Sequence, residues 1–370
     1  MNLVKRELFG PGPTNVPDSV LDALSRPTIG HLDPQFLEIM DEINESLRYC
    51  FQTQNALTFV LSAPGSIGME TSFVNLVEPG EKVVICINGV FGGRMKDICR
   101  RIGAEVVTIE NKWGTPVNPD ELQKTLQAHD DAEIVAFVHA ETSTGVRSDA
   151  STIARIAKSH DCLVIADCVT SLAGVELRVD DWELDVVYSG SQKCLSCVPG
   201  LSPITFSDAA VEKVKRRQTP VQSWFCDISL LMSYYESGEK TRAYHHTAPV
   251  NALFAMHQAL KLVVNESLEA RWARHSDAVN RLYARLEAAG LEMIVEEQHR
   301  LAPLTLVRVP DGISDAEIRQ SLLAQNIEIG AGLGKFAGKA WRFGLMGENA
   351  SIQRADFIAD ALLSTIESCR

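Results

Sequence analysis

The stretch Tyr188-Ser189-Gly190-Ser191-Gln192-Lys193-Cys194 decides the reading of this 370-residue chain. It follows the largely apolar run 184–188 and sets a lysine in a shaped loop, with Gly190 and Ser191 before it and Pro199-Gly200 after it. Upstream, the apolar run 162–166 ends on Asp167. Similar short runs lie at 56–61, 83–87, 134–138, 186–188 and 203–206, most of them rich in Val and Ile as strands buried on both faces are. Between them, 68–77, 92–102, 118–128 and 150–159 read as helices. Strand–helix alternation predicts an α/β fold with a mostly parallel central sheet flanked by helices. In such sheets ligands sit beyond the carboxyl ends of the strands. Asp167, Lys193 and the loop 62–67 all fall there.

From about Pro249 the pattern changes. Residues 251–264 and 268–289 read as long helices, 304–309 as a strand, 315–325 as a helix, 341–344 as a short strand and 352–369 as a closing helix. This predicts a smaller C-terminal α+β domain. The expected division is an N-terminal arm 1–20, a large domain 21–255 and a small domain 256–370, with the boundary within or beside a long helix between Pro249 and Leu268.

The formal net charge is -13 and no long run carries one sign, which argues against nucleic acid or an anionic membrane as partner. No apolar stretch approaches the ~20 residues of a membrane span, and the first ten residues lack a signal-peptide core. Nine cysteines at irregular spacings point to reduced thiols and a cytoplasmic setting. Cys194 and Cys197 form a C-x-x-C, but no second pair exists to complete a zinc site.

A lysine and an aspartate, each at the carboxyl end of a buried-looking strand, are what pyridoxal phosphate (PLP) chemistry needs. The amine can form an imine with the cofactor aldehyde. The carboxylate can keep the pyridine nitrogen protonated, making the ring an electron sink. Burial would lower the lysine pKa and make it a nucleophile and proton shuttle. The competing readings are a surface lysine after a strand and, for Asp167, a helix N-cap. Val169 would lie under the ring. Gly65, Ser66 and Ile67, after Pro64, can offer N–H donors to a phosphate at a helix start, with Gln192 adding a side-chain donor. Phe91, in a glycine-rich loop, is either a ring-stacking aromatic or a core residue. Arg342, between Trp341 and Phe343, suits a substrate carboxylate, or else lies on the surface of an alternating strand.

These residues match a family. The chain resembles the class V aminotransferases of the fold-type-I PLP enzymes, within them the alanine–glyoxylate and serine–glyoxylate (serine–pyruvate) aminotransferases. The matching stretches are Gly10-Pro11-Gly12-Pro13-Thr14-Asn15, Asn88-Gly89-Val90-Phe91-Gly92, Glu141-Thr142-Ser143-Thr144-Gly145-Val146, Ala166-Asp167, Ser189-Gly190-Ser191-Gln192-Lys193, Tyr244-His245-His246-Thr247 and Trp341-Arg342-Phe343-Gly344. The resemblance implies that Lys193 is the Schiff-base lysine and Asp167 the pyridinium partner. It implies that Thr142 bonds the ring hydroxyl region and Phe91 stacks on the ring. Gly65, Ser66 and Gln192 would hold the phosphate, and Arg342 the α-carboxylate. Tyr244 and Thr247 resemble phosphate ligands given by a neighbouring subunit, which implies a homodimer with shared sites. Two positions depart from the pattern. Ala63-Pro64 stand where many relatives have Ser-Gly, and proline has no N–H to offer. Ser66 stands where some relatives place histidine.

The resemblance implies transfer of an amino group from a small amino acid, alanine or serine, to a 2-oxo acid such as glyoxylate. Rival readings change the donor to ureidoglycine, 3-hydroxykynurenine or pyridoxamine, or the reaction to a PLP-dependent elimination. Gln192 rather than histidine precedes Lys193, and Cys369 is the only cysteine after Cys226, which counts against a desulfurase. No clear second arginine for a side-chain carboxylate is legible in the sequence.

Overall fold

The computed structural model describes residues 3–235 and 242–369. Its centre is a seven-stranded sheet with strands in the spatial order Leu57–Leu61, Ser202–Phe206, Val186–Tyr188, Leu163–Asp167, Ala132–Val138, Lys82–Ile87 and Glu105–Glu110. All neighbours pair parallel except Ser202–Phe206, which runs antiparallel to both of its partners. The inner strands are rich in Val, Ile, Ala and Phe because helices cover both faces. Each such side chain contributes roughly 1.5–3 kcal/mol by leaving water.

The edge strand Glu105–Glu110 escaped the sequence reading. Only Ile109 in it is buried, so it carries no continuous apolar run. The helices Pro34–Phe51 and Ile228–Tyr235 were also not read. Two helices begin earlier than the small-residue loops suggested, at Gly65 and at Val90. In both, the glycine-rich stretch is itself the first helical turn.

A second core lies toward the carboxyl terminus. The strands Leu304–Arg308, Ala340–Gly344 and Gly330–Ala331 form an antiparallel sheet in that spatial order. It is backed by the helices Leu268–Ala288, Asp315–Ala324 and Ile352–Ser368. The helix Val250–Glu266 buries Leu253, Phe254 and Leu260 in the larger core, whereas Ala278, Leu282 and Leu286 of the next helix belong to the smaller one. The N-terminal arm joins that smaller core. Glu7–Leu8 pairs parallel with Ile327–Glu328, and Phe9 is fully buried there.

No helix among the described residues is long and apolar enough to cross a membrane.

Candidate active site

Three neighbouring strands of the large sheet end at one place. Leu163–Asp167 delivers Asp167, Val186–Tyr188 leads into the loop of Lys193, and Ala132–Val138 leads into Ala140–Glu141 and Thr142. Between these ends lies a recess with ≈ 570 Å³ of unfilled space, counting its open mouth. Asp167 and Lys193 both line it, so the pairing expected from their strand-end positions is real geometry.

Asp167 is held from two sides. Val169 N donates to Oδ1 at 2.9 Å, and the Tyr188 hydroxyl donates to Oδ2 at 2.9 Å. Burial pushes this carboxyl up to about 6, against the pull of those two donors and of Lys193. A desolvated carboxylate with so little compensation is poised for a cation. Burial lowers Lys193 to about 8, so a far larger share of the amine is neutral near physiological pH than in an exposed lysine. Its Nζ donates to the carbonyl of Pro11 in the N-terminal arm. Gly12 follows at φ +104°, and a Cβ there would lie 2.6 Å from Nζ. Glycine is therefore favoured by the backbone, and a side chain there would push the lysine head aside.

The phosphate-type cradle is the first turn of the helix Gly65–Leu76. Pro64 precedes it as N-cap with no side-chain cap, leaving the Gly65 and Ser66 amides without a partner inside the helix. Ile67, expected among the donors, is not one of them. Its amide already donates to Pro64 O at 2.8 Å, and its side chain packs on the core rather than lining the recess. Pro64, Gly65, Ser66 and Gln192 all line the recess. Gln192 has its Oε1 buried without a partner, so its amide can turn toward the cradle without giving up a bond of that oxygen.

Phe91, Val169, Met69, Val138 and Ala140 supply apolar walls, and Thr142 lies among them. Arg342 stands one layer behind. It is 7% exposed, its Nε donates to Ala331 O at 2.7 Å and its Nη1 to Thr142 O at 3.2 Å. Burial lowers it to about 10, offset by the charge of Glu141. Arg342 is thus no surface residue of an alternating strand.

Tyr244 and Thr247 are not brought to this recess. Tyr244 is 63% exposed, and its hydroxyl lies 3.5 Å from Thr247 Oγ1. Their neighbour His246 sits 2.7 Å from Ser62 Oγ.

Three residues escaped the sequence reading. Arg94 lines the recess, with Nη1 donating to Ser66 Oγ at 3.0 Å and its guanidinium 5.1 Å from the Phe91 ring centroid. Its signal was the i, i+3 spacing from Phe91 once that helix starts at Val90. Tyr188 had no signal beyond its place before the lysine loop. Glu141 is fully buried beside the recess, where a charged residue just past an apolar run was the clue.

The donor set fits pyridoxal phosphate: a buried amine of lowered pKa, a buried carboxyl lacking a cation, apolar walls and free amides at a helix start. No group of His, Cys, Asp or Glu among the described residues could hold a metal. Cys194 and Cys197 are free and buried, and Cys194 donates to Thr170 O at 3.2 Å.

The model of the family "Aminotransferase class-V" matches residues 7–340. The chain is 38% identical to alanine–glyoxylate aminotransferase of Rattus norvegicus, over 100% of this chain and 89% of that protein. It is 34% identical to (S)-ureidoglycine–glyoxylate transaminase of Bacillus subtilis, over 96% of this chain and 89% of the relative. Among solved structures, alanine–glyoxylate aminotransferase from Nostoc sp. superposes with a TM-score of 0.96 at 44% identity, covering 99% of this chain and 96% of that one. The chain therefore belongs to the class V aminotransferases.

Proposed function

We propose that this chain is a PLP-dependent aminotransferase that moves the amino group of a small amino acid, alanine or serine, to glyoxylate. The observation that carries the reading is the convergence of Lys193 and Asp167 on one recess. Bound pyridoxal phosphate supplies an aldehyde that takes up amino groups and a ring that accepts electrons. Lys193 Nζ, which burial lowers to about 8, takes the proton from the donor's Cα and returns it on the other side of the exchange. Asp167 would hold a proton on the ring nitrogen, and such a cation would relieve the desolvated carboxylate. Gly65, Ser66 and Gln192 hold the phosphate. Phe91 and Val169, in the apolar walls, would bound the ring, and Thr142 would meet its hydroxyl region. Arg342, steadied on Ala331 and Thr142 carbonyls, binds the substrate carboxylate.

Glyoxylate as acceptor is supported by two relatives whose names both contain it. The second of them favours ureidoglycine as an alternative donor. Tyr244 and Thr247, exposed on this chain, suit a role as phosphate ligands for a second copy, which makes the working unit a homodimer. Eight buried free thiols suit a reducing, cytoplasmic setting.

The test is a panel of amino acids added to the purified protein with PLP, followed by visible absorption. Alanine or serine, with glyoxylate present, should turn over fastest. Lys193→Ala should abolish both the visible band and turnover; a variant that keeps turnover defeats the assignment.

A further inference from the structure

Glu141 is a buried carboxylate that none of the roles above uses. It closes the short strand Ala140–Glu141, next to Thr142 of the recess. Its Oε1 accepts from Ser143 N at 3.0 Å and from Ser143 Oγ at 2.6 Å, and its Oε2 accepts from Phe91 N at 3.2 Å. Ser143 Oγ in turn accepts from Val90 N at 3.0 Å. Val90 and Phe91 open the helix Val90–Ile102, whose N-cap is Gly89 with no side chain to cap it. The two orphan amides of that first turn are thus capped from a segment about fifty residues away in sequence.

The contact is close. A Cβ at Gly89 would overlap Glu141 Cγ and Cδ, so glycine there makes room for the carboxylate. A negative charge at the start of a 13-residue helix is also favoured by the aligned peptide dipoles. Burial pushes the carboxyl up, while the Ser143 and Phe91 donors hold it down. Two of the three donors are backbone N–H groups that cannot accept, so a proton on Glu141 would find an acceptor only in the Ser143 hydroxyl, which already accepts from Val90 N.

We propose that Glu141 is a positioning residue for the transamination, tying the first turn of this helix to the floor of the site so that the Phe91 ring is held against the cofactor. The inference rests on the reading of the recess as a PLP site. A helix cap with no such role would stabilise the fold but leave cofactor affinity independent of the Phe91 ring.

Glu141→Gln keeps size and burial, yet turns one oxygen into an NH2 that accepts nothing, so the side chain can no longer cap both Ser143 and Phe91. The experiment titrates PLP into the apo forms of wild type, Glu141→Gln, Phe91→Ala and the double variant, following the visible band. Each single substitution should weaken PLP by about tenfold, the scale of one hydrogen bond to a charged group. The double variant should be little weaker than Phe91→Ala alone. Losses that multiply to about a hundredfold, or wild-type affinity in Glu141→Gln, overturn the proposal. Should Glu141→Gln not fold, Ser143→Ala enters the same cycle, since it removes the cap on Val90 and one donor to Glu141. Borohydride reduction of the wild type, with mass mapping of the adduct, separates the two readings. No PLP adduct on Lys193 overturns both, whereas an adduct with multiplying losses overturns only the role of Glu141.

Discussion

Tyr188 and Asp167, twenty-one residues apart, are joined by a 2.9 Å hydrogen bond from the tyrosine hydroxyl to Oδ2, fully inside the protein. They end adjacent parallel strands and stand in register with each other. The tyrosine is therefore part of what sets the charge of the aspartate. Tyr188→Phe keeps the ring and removes only the donor. A hydrogen bond to a charged group is worth about 1.5–3 kcal/mol, so kcat should fall roughly 10- to 100-fold with the fold intact. Steady-state kinetics beside a thermal melt checks this. Unchanged kcat would show that Asp167 needs no help from Tyr188.

Asp167 also makes the cofactor-free chain sensitive to pH. Its folded pKa is raised to about 6 from the ordinary 3.8 of an aspartate, because burial strips its water. As pH rises from about 4 to about 6, the unfolded chain loses this proton while the folded chain keeps it. The folded state therefore binds more protons, and stability falls with rising pH across that window. A shift of about 2 units corresponds to roughly 3 kcal/mol. Asp167→Asn removes the effect, and the Tyr188 hydroxyl can turn to suit the amide. Cofactor-free Asp167→Asn should thus be more stable than cofactor-free wild type at pH 7, and no more stable at pH 4. Urea unfolding at the two pH values checks the sign. The same variant should lose most of its turnover.

Arg342 bonds two backbone carbonyls, so it is held in place before any substrate arrives. Arg342→Ala should raise KM for every amino acid in a panel by about 10- to 100-fold, on the scale of a charged hydrogen bond. Arg342→Lys should recover part of this, since it keeps the charge but not the planar fork. A KM unaffected across the panel would remove Arg342 from the substrate.

The shared-site proposal can be tested by mixing subunits. Lys193→Ala lacks the amine and Tyr244→Ala lacks the proposed phosphate ligand, so each alone should be nearly inactive. In a mixed dimer one site regains both groups. Random reassortment of equal amounts makes half of the dimers mixed, each with one good site of two, so about a quarter of wild-type activity should return. Full activity of Tyr244→Ala alone would show that this residue completes no site.

Much of this enzyme could be read along the chain, because its central strands are buried on both faces and announce themselves as apolar runs rich in Val and Ile. The turn of a strand end into a loop also marks where Asp167 and Lys193 stand. What could not be read that way has two physical origins. The edge strand Glu105–Glu110 and the helix Pro34–Phe51 bury one face at most, so their apolar residues are diluted by polar ones. The other origin is distance. That Ile67 N is already bonded, that Arg94 reaches Ser66, and that Glu141 caps a helix fifty residues upstream depend on packing between remote segments. Composition and periodicity determined the sheet and the residues at its carboxyl edge. Only the folded chain decided which amides stay free, which carboxylate loses its water and which arginine is already tethered. Those are properties of close approach in three dimensions, where desolvation and hydrogen-bond geometry act.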